Sequence, residues 1–122
     1  MATRRILLVE DDKELSTLLS HVLVTAGFDV DLVRTVGKAQ ERLTGSAYEL
    51  VIADWRLPDG DGLDIADRAA DLGIKAAVLT GYAFRMPAEK AARHEVWMKP
   101  MRPKELIAAV ERCLGREADS RS

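Results

Sequence analysis

Short apolar runs alternate with longer amphipathic stretches along the whole chain. Ile6-Leu7-Leu8-Val9 is a continuous apolar run ending in acids, the pattern of a strand buried on both faces of a sheet. Asp12 then stands at an N-cap position. Leu15, Leu18, Leu19, Val22 and Leu23 follow at helical spacing, and Gly27 closes that helix. Phe28 to Val33 alternates apolar and acidic residues, which predicts a strand with one wetter face near a sheet edge. Thr35 caps a second predicted helix carrying Val36, Ala39, Gln40 and Leu43 and ending near Gly45. Leu50-Val51-Ile52-Ala53 is a third strand, followed by Asp54. Residues 57–62, with one proline and two glycines, read as a loop.

Leu63, Ile65, Ala66, Ala69, Ala70 and Leu72 mark a third helix stopped by Gly73, and Ala76-Ala77-Val78-Leu79 is a fourth strand leading into Thr80-Gly81. Pro87 starts a short helix running to about Arg93. Val96-Trp97-Met98 is a brief fifth strand before Lys99-Pro100. Pro103 sits in the first turn of a last helix with Leu106, Ile107, Val110 and Leu114 on its apolar face and Gly115 as its stop. Five strands alternating with five helices through short connections predict an α/β domain over residues 1–115, with a parallel sheet covered by helices. The polar tail, residues 116–122, has nothing to bury and is expected to be disordered.

Composition narrows the classes without changing this picture. With 122 residues, 48% apolar and 31% charged, the chain suits one domain with a sizeable core. A formal net charge of -2 gives no electrostatic ground for a direct nucleic-acid or membrane partner. Cys113 is the single cysteine, and His21 and His94 match no zinc spacing, which excludes an internal disulfide and a thiolate metal cluster. No apolar run approaches the roughly 18 residues of a membrane span. Arg4-Arg5 leads into a short apolar run rather than a signal-peptide core, so a cytoplasmic location is expected.

Charge distribution does add something. Residues 1–62 carry 11 acids against 7 bases and residues 63–122 carry 9 against 11, so the halves contribute -4 and +2. Glu10, Asp11 and Asp12 are consecutive. Open α/β sheets bind ligands beyond the carboxyl ends of their strands. Those ends carry Glu10 and Asp11 after the first strand, Asp54 after the third, Thr80 after the fourth and Lys99 after the fifth. Any one of these alone reads as a cap or a loop residue; their coincidence at four strand ends does not. Three carboxylates at close range call for a compensating cation. Mg²⁺, which takes a few oxygen ligands and keeps several waters, suits the set together with the Lys99 ammonium. With that charge balanced, the central carboxylate, Asp54, is the candidate nucleophile toward a phosphoryl donor, and Thr80 and Lys99 are placed to stabilise the transferring oxygens.

Ile6 to Asp12, Ala53 to Gly62, Leu79-Thr80-Gly81 and Lys99-Pro100, in this order, resemble the motifs of response-regulator receiver domains of two-component signalling, the family of the bacterial chemotaxis regulator. The resemblance covers residues 4–115. It implies a flavodoxin-like (βα)5 fold with strand order 2-1-3-4-5 and helices on both faces. By that resemblance Asp54 is the phosphoacceptor. Glu10, Asp11, Asp54 and the backbone carbonyl of Arg56 hold Mg²⁺, with Mn²⁺ as an alternative. Thr80, Gly81 and Lys99 surround the phosphoryl group, and Lys99–Pro100 is a candidate cis peptide, inexpensive only before proline. Arg56 and Tyr82 flank the pocket, with Arg56 a candidate donor to the phosphate or to Glu10. A sensor histidine kinase or phosphotransfer protein is the implied donor. The domain would catalyse its own phosphorylation and slow dephosphorylation rather than act as a conventional turnover enzyme.

The chain departs from the family pattern at Val96, where an aromatic switch residue is usual. Trp97 points to the opposite face by strand alternation and does not replace it. Residues 81–95 are about one helical turn shorter than is common, and Glu95 stands where a small residue is familiar. The output partner and any homodimer on this altered face are left open. A phosphorylation-independent adapter on the same fold is the alternative reading. A Mg²⁺-dependent phosphatase would need a second acid two residues after Asp54, where Arg56 stands.

Overall fold

The computed structural model describes residues 4–81 and 85–115. In chain order the elements are β1 (Arg5–Val9), α1 (Lys13–Thr25), β2 (Asp29–Val33), α2 (Val36–Gly45), β3 (Leu50–Asp54), α3 (Gly62–Asp71), β4 (Lys75–Thr80), α4 (Ala88–Ala91), β5 (Glu95–Met98) and α5 (Pro103–Leu114). Arg56–Leu57 and Gly60–Asp61 form a separate two-stranded antiparallel ladder between β3 and α3. The main sheet is parallel throughout and runs β2-β1-β3-β4-β5, which is the expected order.

Continuous apolar strands are buried on both faces because successive side chains alternate between two layers. Ile6 and Leu8 join Leu50, Ile52, Leu79 and Trp97 beneath α1 and α5. Leu7 and Val9 join Val51 and Ala53 beneath α2 and α3. All four β1 side chains from Ile6 to Val9 are 0% exposed. Truncating one of the leucines to alanine is expected to cost about 2–5 kcal/mol. β2 is the edge strand that its alternating acids predicted, and its residues 29–32 are half-buried or exposed. The N-caps fall where the pattern put them. Asp12 accepts from the Leu15 amide (2.9 Å) and Thr35 from the Lys38 amide (3.1 Å). Among the described residues no helix is long and apolar enough to cross a membrane.

The differences from expectation are local. Residues 57–62 are not wholly loop. They include the short ladder, and α3 starts at Gly62 because Asp61 caps it, its carboxylate accepting from the Leu63 amide at 2.7 Å. α4 stops at Ala91 rather than near Arg93, since the chain turns there to enter β5. Asp54 and Thr80 are the last residues of their strands rather than the first beyond them. The ladder runs on through Trp55 N–H to Leu79 O and Lys99 N–H to Thr80 O, both 2.9 Å. Tyr82 and the tail lie outside the described residues.

Candidate functional site

At the carboxyl edge of the sheet, β3 lies between β1 and β4. Asp54 therefore has the acids following β1 on one side and Thr80 on the other. Carboxylate oxygens of Glu10, Asp11 and Asp54 lie within 4.8 Å of one another. Lys99, delivered by the end of β5, places Nζ 2.7 Å from Asp54 Oδ1 and 3.4 Å from Glu10 Oε2. The Lys99–Pro100 peptide is cis. Asp54, Trp55, Arg56, Thr80, Gly81 and Lys99 line an open cleft of about 320 Å³. A Cβ added to Gly81 would meet nothing within 4 Å, so space beside Thr80 is free.

The electrostatics are unbalanced in one direction. Glu10 is 1% exposed. Its Oε1 accepts from the Asp12 amide at 3.1 Å, while Oε2 is buried without a hydrogen bond. At 3.4 Å from that oxygen the Lys99 ammonium offers it mainly charge, its close contact being with Asp54 Oδ1 at 2.7 Å. Burial pushes the Glu10 carboxyl above its ordinary range and the charge of Asp54 adds to this, outweighing the Asp12 amide and Lys99. Burial works against the Lys99 ammonium too, but its bond to Asp54 and the charges of Asp54 and Glu10 leave its pKa raised. Three carboxylates against one ammonium leave a formal charge of -2. An orphaned buried carboxylate oxygen within that group is what a divalent cation would satisfy. The donor set, all oxygen and open on one side, fits Mg²⁺.

The connection after Asp54 is held tightly. Gly62 donates its N–H to Trp55 O at 2.7 Å. A Cβ on Gly62 would come within 2.2 Å of Asp54 O, so only glycine allows α3 to begin this close to β3. Trp55 is buried with Leu63, Ala66, Val78 and Met86, and Val96 packs against that group from β5. Trp97 lies in the core layer on the other face of the sheet, as alternation required. The Arg56 guanidinium rests over the Trp55 ring, 5.3 Å from its centroid. The exposed side chain thus lies on the aromatic face beside it.

Sequence matching over residues 6–111 identifies the response regulator receiver domain. The chain belongs to that family. It is 32% identical over 116 residues to the response regulator receiver protein CpdR of Brucella abortus, covering 91% of this chain and 97% of that one. Against the DNA-binding response regulator MtrA of Mycobacterium tuberculosis it is 32% identical over 120 residues, spanning 53% of that protein. Against the swarming motility regulation protein RssB of Serratia marcescens it is 44% identical over 77 residues, spanning 35% of that protein. The fold matches a CheY-like receiver domain from Methanospirillum hungatei with a TM-score of 0.85 at 24% identity, over 98% of this chain and 99% of that one. It also matches the response regulator TrrA of Thermotoga maritima, solved in complex with Mg²⁺-BeF, with a TM-score of 0.84 at 26% identity, over 92% and 100% of the two chains.

Two residues of this receiver escaped the sequence pattern. Asp59 lies on an exposed turn, yet its carboxylate accepts from the Val36 amide at 2.7 Å and the Gly37 amide at 3.0 Å. The Gly37 and Val36 amides together hold that carboxyl below its ordinary range. Glu95, conspicuous only as a departure from the family pattern, takes the Trp97 indole N–H at 3.0 Å and the Arg112 guanidinium at 2.5 Å, joining β5 to α5. The Asp59 contacts and the Glu95–Arg112 pair have no local signature, since they join elements distant in sequence, whereas Trp97 is two residues from Glu95 on the same strand. Neither histidine enters the site. His21 is exposed on α1, and His94 is half-buried, its side chain covered and its Nε2 2.6 Å from Asp67 Oδ1.

Proposed function

We propose that this receiver accepts a phosphoryl group on Asp54 from a phosphohistidine of a sensor histidine kinase or phosphotransfer protein, and that the aspartyl phosphate alters its affinity for an output partner. The observation that carries the reading is the convergence of Glu10, Asp11 and Asp54 around one buried, unsatisfied carboxylate oxygen, with Lys99 bound to Asp54. Glu10, Asp11, Asp54 and the carbonyl of Arg56 are the residues that would hold Mg²⁺ or Mn²⁺. When bound, the cation neutralises charge on the transferring oxygens.

The chain's own residues divide the remaining work. Lys99 occupies Asp54 Oδ1, which leaves Oδ2 as the attacking oxygen. An O–P bond forms there as the P–N bond of the donor breaks, and the imidazole leaves with the electron pair of that bond. The ammonium, already seated at the carboxylate, is within reach of the phosphoryl oxygens as charge shifts onto them. The Thr80 hydroxyl and the open space at Gly81 form the far wall of the cleft. Water attacking the aspartyl phosphate reverses the switch, and Arg56, which lines the cleft, flanks the route it takes.

Intact mass after incubation with acetyl phosphate and Mg²⁺ tests the reading. One added phosphoryl group is expected on the wild type and none on Asp54→Asn. A wild type that gains nothing from acetyl phosphate or from a cognate kinase is a phosphorylation-independent adapter, and the proposal fails.

A further inference from the structure

The connection carrying the Arg56 carbonyl is fastened at one end by the core and at the other by α2. On the core side, Leu57 is buried in the layer beneath α2 and α3, and Asp61 caps α3. The tip of the turn, Pro58 to Gly60, is exposed. It is tied to α2 by Asp59, which accepts from the Val36 and Gly37 amides, and by Gly60, whose Cα faces Val36 so closely that a Cβ would lie 3.0 Å from Val36 Cγ2. These amides are the first two of α2, which lack carbonyl partners within the helix. Thr35, the helix's own cap, serves the next one, Lys38. The carboxylate therefore takes positions that the cap leaves open, and helix polarity favours its charge there. Arg56 and Leu57 pair with Asp61 and Gly60 across the ladder. A turn held at its tip thus holds the strand bearing the Arg56 carbonyl.

We infer that Asp59 is a positioning residue for the metal site, fixing the β3–α3 connection that carries the Arg56 carbonyl against the N-terminus of α2 without Asp59 touching the ion. This rests on the proposed Mg²⁺ site. Residues that orient a ligand from behind typically tune metal affinity. Because coupling is reciprocal, ion binding also tightens the contact between the turn and α2.

The decisive measurement is Mg²⁺ affinity followed by calorimetry on the wild type, Asp59→Ala, Asp59→Asn and Thr35→Ala. Asp59→Ala is expected to bind Mg²⁺ roughly tenfold more weakly, the low end of such effects, with excess Mg²⁺ restoring phosphorylation from acetyl phosphate. Asp59→Asn, which keeps an oxygen acceptor, recovers part of the affinity. Thr35→Ala weakens the same helix end without touching the turn, so it lowers thermal stability and leaves Mg²⁺ affinity unchanged. Amide exchange gives a second readout: Mg²⁺ slows exchange at Val36 and Gly37 in the wild type and not in Asp59→Ala. Wild-type affinity in Asp59→Ala overturns the inference, as does an equal loss in Thr35→Ala, which marks a general effect of helix stability. A wild type that binds no Mg²⁺ overturns the site reading itself, a result distinguishable from both.

Discussion

Two of the connections that leave the carboxyl edge of the sheet beside Asp54 are fastened in opposite ways. The one from β3 to α3 is fixed mainly through backbone. Gly62 sits against the Asp54 carbonyl, the ladder pairs Arg56 with Asp61, and Asp59 and Asp61 serve the N-termini of two different helices. The segment between β4 and β5 has, among its described residues, a four-residue helix with no buried side chain and no side-chain cap. It is attached through buried Met86 and through His94 and Arg93 on Asp67. The difference separates two duties. The chemistry proposed for Asp54 needs ligands held to fractions of an ångström, whereas the proposed change of state is more cheaply expressed in a segment held by few contacts. Trp55 and Met86 share one apolar cluster with Val96, so contact between the two regions runs through packing rather than through an aromatic ring at position 96.

The largest effect is expected where the fixed connection has no slack. Gly62→Ala sets a methyl group 2.2 Å from the Asp54 carbonyl, and backbone cannot move aside as a side-chain tip would. A loss of about 3 kcal/mol or more is expected in urea denaturation, with weakened Mg²⁺ binding in whatever remains folded. A variant with wild-type stability and affinity would show that the connection is not rigid.

Met86→Ala tests the other region. Met86 is 6% exposed in a small cluster near the surface, so a cost of about 2 kcal/mol, the low end for such truncations, is expected. Because its neighbours include Trp55, a red shift of tryptophan emission should accompany faster amide exchange in α4, while Mg²⁺ affinity stays near wild type. If affinity falls with it, the two regions are one cooperative unit and the contrast between them fails.

What the sequence shows of this molecule follows the range of the interactions involved. β1, β3 and β4 were legible as apolar runs because burial on both faces leaves no room for alternation, and Asp12 and Thr35 announced their helices within three residues. Asp54, Glu10, Asp11, Thr80 and Lys99 were legible as a group because a parallel sheet brings every strand end to one edge. Asp59 was not, because its partners Val36 and Gly37 lie 23 and 22 residues away and an exposed Asp beside Pro58 already satisfies the grammar of a turn. Asp61 was likewise read as loop, since its bond to the Leu63 amide shows only once α3 is placed. The stacking of Arg56 on Trp55 depends on side-chain direction, on which spacing is silent.

The smallest expected effect concerns Glu95, the contact that stiffens β5 from the side opposite Val96. The Trp97 indole N–H, then the Arg112 guanidinium, hold its carboxyl below the ordinary glutamate range despite partial burial. A depressed folded-state pKa means that the contact stabilises above the pKa of the unfolded chain and that this contribution is lost as pH falls through the lower, folded value. Glu95 and Arg112 side chains are 40% and 53% exposed, so solvent screening limits the charge contribution to less than about 1 kcal/mol. Glu95→Gln keeps an acceptor for the indole and removes the charge. Its stability should therefore match the wild type in acid and fall slightly below it at neutral pH, a difference that shrinks in high salt. Urea titrations at both pH values measure that gap. A gap that persists in acid would mean that Glu95 acts through packing, and that β5 is held from this side by shape rather than by charge.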